Sequence, residues 1–170
     1  MAHVDPVSIV SQDDLRQAMS RLPTGVVVVT SFDEGGPVGM TINSFTSVSF
    51  APPRVLICLN RNSRGYFAIE KSGVYAINIL GGSQQEIARR FATPGLDQAA
   101  RFQGIGQQTG ITGSPLIEGA SAWLDCCVTH IYPAGTHGVF FADVLGANHD
   151  TWDETPLIYY RRDMQPLDMG

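Results

Sequence analysis

Apolar residues along this chain fall into short β-branched or alternating blocks, the pattern of β-strands rather than of long helices. Such blocks predict strands at residues 24–32, 38–50, 54–59, 73–80, 120–132, 139–147 and 157–161. Turn-forming residues separate most of them: residues 33–36 make a hairpin, and Pro52-Pro53 ends the second strand. Because the strands follow one another through turns, the pattern predicts an antiparallel barrel decorated by a few short helices.

Three short helices are predicted, one before the first strand and two between later strands. Each begins at a serine that can cap its first turn: Ser11, Ser63 and Ser83. Apolar side chains at helical spacing follow each cap: Leu15, Met19 and Leu22; Tyr66, Phe67 and Ile69; Ile87, Ala88 and Phe91. Residues 94–119 are rich in Gly, Gln and Thr, and they predict a long surface segment that covers part of the fold.

Size and composition add limits to this picture. A chain of 170 residues is expected to form one domain, residues 1–170, with a single core. Hydrophobic residues make up 44% of the chain and charged residues 16%, which is typical of a soluble globular protein. The net charge is −5 and no basic run exceeds a pair, at Arg89-Arg90 and Arg161-Arg162, so nucleic acid binding is not expected.

The spacing of ligand-type residues and of apolar runs excludes two further classes of protein. The three cysteines and four histidines show no metal-ligand spacing, so no metal site is expected. The N-terminal residues have no cationic start and no sustained apolar stretch, so no signal peptide is expected. The longest apolar run, Val26 to Val29, is too short to span a membrane. We therefore expect a cytoplasmic protein.

The stretch from Val38 to Arg64 carries the first candidate chemistry. On a strand, Thr41 and Asn43 share one face while Ile42 and Ser44 share the other. The polar pair can offer hydrogen bonds to the carbonyl and imide edge of a flat ring. An ordinary edge strand with one solvated face would show the same pattern, and this segment alone does not separate the two interpretations.

The segment from Leu59 to Arg64 passes from a buried strand into the first turn of a helix. Free N–H groups and the positive end of the helix dipole make such a turn suitable for a phosphate group. Side chains that can add donors or charge there are Asn60, Arg61, Asn62, Ser63 and Arg64. The alternative is a plain N-cap with solvated arginines. Neither GxGxxG nor GxxxxGK[ST] occurs, so a Rossmann or P-loop site is not expected.

The third candidate is the turn Gly135-Thr136-His137-Gly138. Its two glycines permit close approach of another molecule, which favours a substrate contact for His137, although histidines at hairpin ends are often solvent-exposed bystanders. The chain has no GxSxG motif and no paired catalytic carboxylates. With no nucleophile and base in sight, the sequence predicts that a bound cofactor performs the chemistry.

These segments together resemble the flavin reductase-like family, the short reductase components that partner flavin-dependent monooxygenases. The resemblance is carried by GMTINSFTSVSFAPPRVLICLNRNS (39–63), TGVVVVTS (24–31), VYAINIL (74–80), IARRFA (87–92), RF (101–102), AGTHGVFFADV (134–144) and PLIYYRR (156–162). It extends over residues 13–167 in the order and spacing of the family.

The resemblance implies a mainly β fold: an antiparallel Greek-key split β-barrel of the FMN-binding type, forming a homodimer with flavin near the subunit interface. It implies contacts to the flavin ring and ribityl chain from Met40, Thr41, Ile42, Asn43, Ser44, Ser47 and Ser49. Ribityl and phosphate contacts are implied for Leu59, Asn60, Arg61, Asn62, Ser63 and Arg64, and contacts to the outer phosphate or adenylate for Arg90 and Arg101. Tyr159 and Tyr160 match an aromatic segment near the flavin. Gly135, Thr136 and His137 match the Gly-Asp-His element that contacts the nicotinamide nucleotide, with Thr136 in place of the usual Asp.

The implied activity is hydride transfer from NADH or NADPH to FAD or FMN, which supplies reduced flavin to a partner monooxygenase. NADH is favoured over NADPH because no arginine is evidently placed for the 2′-phosphate. An electron-carrying flavoprotein that holds its flavin tightly is one alternative. A non-catalytic split barrel that binds a small ligand or haem is another. A pyridoxamine-phosphate oxidase relative would need a basic phosphate cluster that the sequence lacks.

Overall fold

The computed structural model describes residues 10–149 and 154–168. The helices are α1 (Gln12–Met19), α2 (Arg64–Ser72), α3 (Gln85–Ala92) and α4 (Gln98–Phe102), and a 3₁₀ turn at Gly82–Gln84 precedes α3. The strands are β1 (Thr24–Gly25), β2 (Val27–Asp33), β3 (Gly36–Ile42), β4 (Phe45–Phe50), β5 (Pro53–Asn60), β6 (Val74–Ile79), β7 (Gln107–Thr109), β8 (Pro115–Ile117), β9 (Ala122–Ala134), β10 (His137–His149), β11 (Leu157–Tyr160) and β12 (Asp163–Pro166).

Seven strands form one antiparallel sheet in the order β3-β2-β6-β9-β10-β5-β4. Its two edge strands, β3 and β4, are separated in sequence only by Asn43 and Ser44. The Ser44 carbonyl accepts a hydrogen bond from the Cys58 N–H at 3.1 Å, which ties this connection to β5. Because so short a connection requires the two edges to lie close together, the sheet must roll into a barrel. The prediction of a mainly antiparallel β fold is confirmed.

The barrel interior holds the main core, in which Ile57, Tyr75, Ile77 and Phe140 are fully buried. A second apolar cluster lies between the sheet, α3 and the small sheet β1-β11-β12. There the rings of Phe91 and Phe102 meet edge to face at 4.9 Å between centroids. Both faces of β2 are therefore covered, which explains its uninterrupted valine run.

Three details of the strand prediction were wrong. The strand expected over 38–50 is two strands. The first, β3, pairs with β2 as far as Ile42, and after Asn43 and Ser44 the second, β4, pairs with β5 instead. The strand expected over 24–32 is likewise divided at Val26, whose N–H and carbonyl bond to β11 and to the end of β6. Residues 94–119 are not only a surface segment, since they contain α4, β7 and β8.

The helices also differ from the expectation in two respects. Ser83 does not cap α3, because its N–H donates to the Glu154 carboxylate and the 3₁₀ turn comes first. No residue of α1 is buried, so the apolar face of Leu15 and Met19 is exposed. Ser11 and Ser63, by contrast, cap α1 and α2 as predicted.

No helix in residues 10–149 and 154–168 is long and apolar enough to cross a membrane. Most of the N-terminal segment, for which no signal peptide is expected, lies outside the described residues. The single-domain organisation stays a prediction.

Candidate functional site

The connection between β3 and β4 brings several predicted ring contacts together. The Asn43 side-chain amide donates to the Thr24 hydroxyl at 3.1 Å, and Thr24 is the cross-strand partner of Tyr159. The Ser44 hydroxyl donates to the Cys58 carbonyl at 2.7 Å. Asn43 and Tyr159 come from two parts of the sequence, and Thr24 connects them, since it accepts from one and pairs with the other.

The remaining residues predicted to contact the ring have varied surroundings. Thr41 is not free to bind a ligand through its hydroxyl proton, which it donates to the Ala88 carbonyl of α3 at 2.7 Å. Met40 and Ile42 pack against the barrel core. Ser47 and Ser49 pair with consecutive residues of β5 because a bulge lies between them. The two hydroxyls therefore lie on opposite faces of β4 and cannot both line the same face of a ring.

The start of α2 is organised as a capped helix with unused N–H groups. The Ser63 hydroxyl accepts from the Tyr66 N–H at 3.2 Å and donates to the Asn60 carbonyl at 2.8 Å. The Ser63 hydroxyl thus makes both of its hydrogen bonds with the protein, and Ser63 acts as the N-cap of α2. The N–H groups of Arg64 and Gly65 have no hydrogen-bond acceptor among the described residues. They point along the positive end of the helix dipole, as an anion site requires.

Two arginines of this segment have different environments. Arg64 makes a two-pronged salt bridge to Asp33, with Nε to Oδ2 at 2.8 Å and Nη2 to Oδ1 at 3.0 Å. Hydrogen bonds from Arg64 hold the pKa of Asp33 below its usual value. Arg61 is exposed and has no carboxylate partner among the described residues. Arg61 is therefore the cation of this segment that remains available to a phosphate.

The turn after β9 is next to this helix start. His137 is the cross-strand partner of Asn60, and the Arg61 N–H donates to the Thr136 carbonyl at 3.0 Å. The Thr136 hydroxyl lies 2.9 Å from Nδ1 of the exposed His137 ring. Gly135 has a φ of +58°, a value that favours glycine. The fold thus brings the segments predicted for phosphate and for nicotinamide into contact.

A concavity of about 410 Å³ opens beside this turn. Its walls include Tyr66 and Phe67, whose rings meet edge to face, and the Glu70 carboxylate, which accepts from the Tyr66 hydroxyl at 3.1 Å. A Cβ at Gly138 would lie 2.6 Å from the Tyr66 ring, so glycine is required for this close approach. The size is within the range of small-molecule sites.

Arg90 and Arg101 have structural partners instead of a free approach to this site. The Arg101 guanidinium donates to backbone carbonyls of Phe91, of Thr93 at 2.7 Å and of Leu96 at 3.2 Å. Burial lowers the pKa of Arg101. The Arg90 guanidinium donates to the Gln103 carbonyl at 2.8 Å. Both side chains join α3 to α4, which was not foreseen when they were predicted to contact the outer phosphate or adenylate.

The thiols of Cys58 and Cys126 are poor nucleophiles at neutral pH. Burial raises the pKa of the Cys126 thiol to about 12 and that of Cys58 above its ordinary value, so both stay protonated near neutral pH. In the part of the chain that the structure describes, no group of His, Cys, Asp or Glu side chains is arranged to hold a metal ion. The arrangement can bind and orient a ring with an anionic tail.

Sequence reasoning missed the supporting residues Thr24, Asp33 and Glu70. Thr24 orients Asn43 from 19 residues away, and Asp33 holds Arg64 from 31 residues away. Glu70 alone had a local signal, since it lies one helical turn after Tyr66.

Comparison with known proteins decides the family. The family model described as the flavin reductase like domain matches residues 19–168. The chain belongs to the flavin reductase-like family. This confirms the family that the sequence resembles and, with it, an enzyme of the flavin reductase class.

Relatives of this flavin reductase-like protein include the reductase subunit HsaB of a flavin-dependent monooxygenase from Rhodococcus jostii (strain RHA1). It is 36% identical over 146 residues, which are 86% of this chain and 73% of that protein. The FMN reductase (NADH) RutF of Pseudomonas syringae pv. syringae (strain B728a) is 34% identical, covering 92% of this chain and 87% of RutF.

Solved structures show the same fold. The NADH:FAD oxidoreductase SgcE6 of Streptomyces globisporus superposes with a TM-score of 0.83 at 33% identity, covering 99% of this chain and 98% of that one. A homologue of nitrilotriacetate monooxygenase component B from Mycobacterium thermoresistibile gives a TM-score of 0.86 at 35% identity, covering 92% of this chain and 87% of that one.

Proposed function

We propose that this protein is an NAD(P)H:flavin oxidoreductase that uses NADH to reduce FAD or FMN and supplies the reduced flavin to a separate monooxygenase. The observation that carries the proposal is the set of contacts made by the connection between β3 and β4. Asn43 bonds to Thr24, the partner of Tyr159. Ser44 bonds to Cys58 of β5, and that strand ends at Asn60, the partner of His137. These contacts join a candidate ring surface, a helix start with free N–H groups and a glycine-bounded histidine turn. An enzyme that holds two ring systems together needs these elements and no acid–base pair.

The residues present fit a flavin. The Asn43 amide is exposed at the seam of the sheet, where it can meet the polar edge of a ring. The free N–H groups of Arg64 and Gly65, with the Arg61 side chain, suit its phosphate. The bound flavin would supply the hydride-accepting ring.

The chain itself would then position both molecules. Asn43 and Ser44 would orient the ring through the seam, whose geometry Thr24 and Cys58 fix. His137 would orient the nicotinamide end of the donor. No side chain needs to take up a proton for this transfer, which agrees with the protonated thiols of the barrel.

The finer assignments rest on the names of relatives and on local charge. RutF is named an FMN reductase (NADH) and SgcE6 an NADH:FAD oxidoreductase, so both flavins stay in the proposal and NADH is the preferred donor. The Glu70 carboxylate lines the same concavity beside Thr136 as Arg61, so a 2′-phosphate there would meet no net positive charge from these two side chains. HsaB is named the reductase subunit of a flavin-dependent monooxygenase, which supports a monooxygenase partner for this chain.

A homodimer is part of the same proposal. Leu15, Met19 and Leu22 each expose more than half of their surface along and just beyond α1, and a second subunit would bury them. Light scattering after gel filtration should give twice the mass of one chain. A monomer at micromolar concentration would remove the dimer from the proposal.

The test of the activity is NADH oxidation under air with purified protein and added FMN or FAD. We expect oxidation that depends on added flavin. No oxidation with either flavin, with NADH and with NADPH would contradict the proposal. A yellow protein that keeps its flavin through gel filtration and does not turn over added flavin would favour the electron-carrier alternative. Ligand binding without any NAD(P)H oxidation would favour the non-catalytic barrel.

His137→Ala tests the nucleotide contact. Losing one hydrogen bond to the donor should raise the KM for NADH by about 2- to 12-fold, with flavin affinity unchanged. His130→Ala is the matched control, because His130 is also exposed on the β9–β10 ribbon but is not beside Asn60. A larger change in flavin affinity than in the KM for NADH would reassign His137 to the flavin.

A further inference from the structure

The positive charges of this acidic chain have an uneven distribution of partners. Of the eleven lysines and arginines, five form salt bridges: Arg16, Arg54, Arg64, Lys71 and Arg89. Arg90 and Arg101 donate to backbone carbonyls. The remaining four have no carboxylate partner among the described residues. One is Arg61 at the start of α2, and the other three are Arg21, Arg161 and Arg162.

These three arginines line one concavity of about 340 Å³, together with Gln17 and Ser20. Arg21 follows α1, whereas Arg161 and Arg162 form the two-residue turn between β11 and β12. The Arg161 N–H donates to the Ser20 carbonyl at 2.9 Å, which fixes the turn against the end of α1. Three arginines from two distant parts of the sequence therefore line one concavity, and none of them has a carboxylate partner among the described residues.

The two arginines of the turn have a backbone conformation that is unfavourable for residues with a side chain. Arg161 and Arg162 have φ values of 50° and 66°, and they are the non-glycine residues with positive φ in the described chain. A two-residue turn with both φ values positive favours Asn-Gly, not two arginines. The Arg161 guanidinium also lies over the Tyr160 ring, at 5.3 Å from its centroid. The side chains are thus held at a site where local conformation favours other residues.

Neighbouring carboxylates are directed elsewhere. Asp163, next to Arg162, accepts from its following backbone N–H and pairs with Arg89 at 3.5 Å. On α1, Asp13 pairs with Arg16 at 3.1 Å, and Asp14 accepts from the Ser11 hydroxyl at 2.7 Å. The concavity therefore keeps a concentrated positive charge that a protein carboxylate does not neutralise within the described residues.

We propose that Arg21, Arg161 and Arg162 form an anion site that binds a phosphate or diphosphate group of a nucleotide. Planar guanidinium groups match phosphate oxygens in pairs, which makes arginine suited to this ligand. The turn that carries Arg161 begins two residues after Tyr159, whose partner Thr24 orients Asn43, so the site lies at the end of the strand that flanks the proposed ring surface. The nucleotide assignment rests on the proposed function, whereas the anion site itself does not. The phosphate source is the adenylate of FAD, the diphosphate of NADH or the 2′-phosphate of NADPH.

The first experiment titrates the purified protein with inorganic pyrophosphate and with ADP by calorimetry. Arg21→Gln and Arg162→Gly should each weaken both ligands by about tenfold or more, because each removes a charge-assisted contact. Arg162→Gly also relieves the positive φ, so its Tm should rise by about 2–4 °C while anion affinity falls. This variant separates loss of the site from loss of the fold. Arg16→Gln, which removes a paired arginine from the same end of the protein, should leave both affinities within twofold of the wild type.

The second experiment measures the KM for FMN, FAD, NADH and NADPH with the same variants. A raised KM for FAD but not for FMN identifies the flavin adenylate, a raised KM for NADH identifies its diphosphate, and a change for NADPH alone identifies the 2′-phosphate. Absence of pyrophosphate binding to the wild type, or equal affinity in all variants, would overturn the anion site. Unchanged KM for all four molecules would overturn its assignment to a nucleotide. If no flavin reduction is found, the proposed function fails, and the titrations still decide the site.

Discussion

A negative charge at the start of α2 would test the proposed phosphate site most directly. Ser63 caps this helix, and both hydrogen bonds of its hydroxyl are made with the protein. Aspartate is as good an N-cap as serine, so Ser63→Asp keeps the bond from the Tyr66 N–H while adding a carboxylate beside the free Arg64 and Gly65 N–H groups. The bond to the Asn60 carbonyl is lost, because a carboxylate has no proton to donate. The change therefore acts on a bound anion more than on the fold.

The expected size follows from the geometry. A phosphate bound at the first turn would lie about one helical pitch, roughly 5.4 Å, from the new carboxylate. Two unit charges at that distance repel by about 3 kcal/mol at an effective dielectric constant of 20. Ser63 is half-buried at the rim of the site, so we take about 1–2 kcal/mol after screening by solvent and salt. Flavin affinity should then fall by about 5- to 30-fold.

The assay is a flavin fluorescence titration at two ionic strengths, with urea unfolding as the check on stability. Ser63→Asn is the matched control, since asparagine is also a good cap and carries no charge. Its affinity should stay within about twofold of the wild type, and the loss in Ser63→Asp should shrink at high salt. Equal flavin affinity in the two variants would refute a phosphate at this helix start. A loss of stability confined to Ser63→Asp would show that the fold, rather than the ligand, responds to the charge.

Three further predictions concern stability and the nucleotide site. Gly138→Ala places a methyl group 2.6 Å from the Tyr66 ring. Urea unfolding should therefore show a free energy of unfolding lower by about 1–3 kcal/mol, and the KM for NADH should rise. Unchanged stability would mean that the Tyr66 ring moves freely. Tyr75→Phe removes a fully buried hydroxyl with no partner among the described residues. The free energy of unfolding should rise by about 1 kcal/mol and Tm by about 2–4 °C. A lower Tm would show that the hydroxyl makes a hydrogen bond in the folded protein. The salt bridge to Arg64 lowers the pKa of Asp33, so its contribution is complete above the ordinary value of 3.8 and is lost as pH falls through the lowered pKa. Asp33→Asn should cost less than about 1 kcal/mol at pH 7, since the pair is partly exposed, and should flatten the decrease in Tm below about pH 4; an unchanged acid profile would contradict this role.

Strands were predictable where both faces are buried. The valine run of β2 and the run from Tyr75 to Asn78 in β6 are buried without interruption, and such short, mostly apolar runs are read directly from the sequence. The division at Asn43 was not predictable in this way. Its β-type neighbours continue on both sides, and the break arises from pairing with strands that lie elsewhere in the chain. Local propensity carries no information on that pairing.

The candidate site was predictable by residue type but not by residue state. Arginines near a helix start suggest phosphate binding, yet Arg64 is committed to Asp33 and Arg101 to backbone carbonyls. Arg61 is the arginine of the predicted phosphate segment that forms no salt bridge among the described residues, although its side chain interacts with the Tyr66 hydroxyl. The partner of Arg64 lies 31 residues away in the sequence, and the Gly39 carbonyl, one of the partners of Arg101, lies 62 residues away. Whether an arginine is available to a ligand therefore depends on the tertiary fold. Sequence reasoning finds the segments, and the structure decides which side chains are free.

The position of the site follows from how the sheet closes. A continuous antiparallel ladder uses nearly all of its backbone hydrogen-bonding groups, so it leaves few of them for a ligand. Here the chain leaves its ladder with β2 at the end of β3 and joins a ladder with β5 at β4, and the second ladder is irregular at the bulge in β4. The Asn43 amide and the Ser47 side chain are exposed at these two interruptions. Barrel closure therefore creates the polar surface on which we propose that the flavin ring binds, and substitutions that regularise the seam should lower flavin affinity even when they stabilise the barrel.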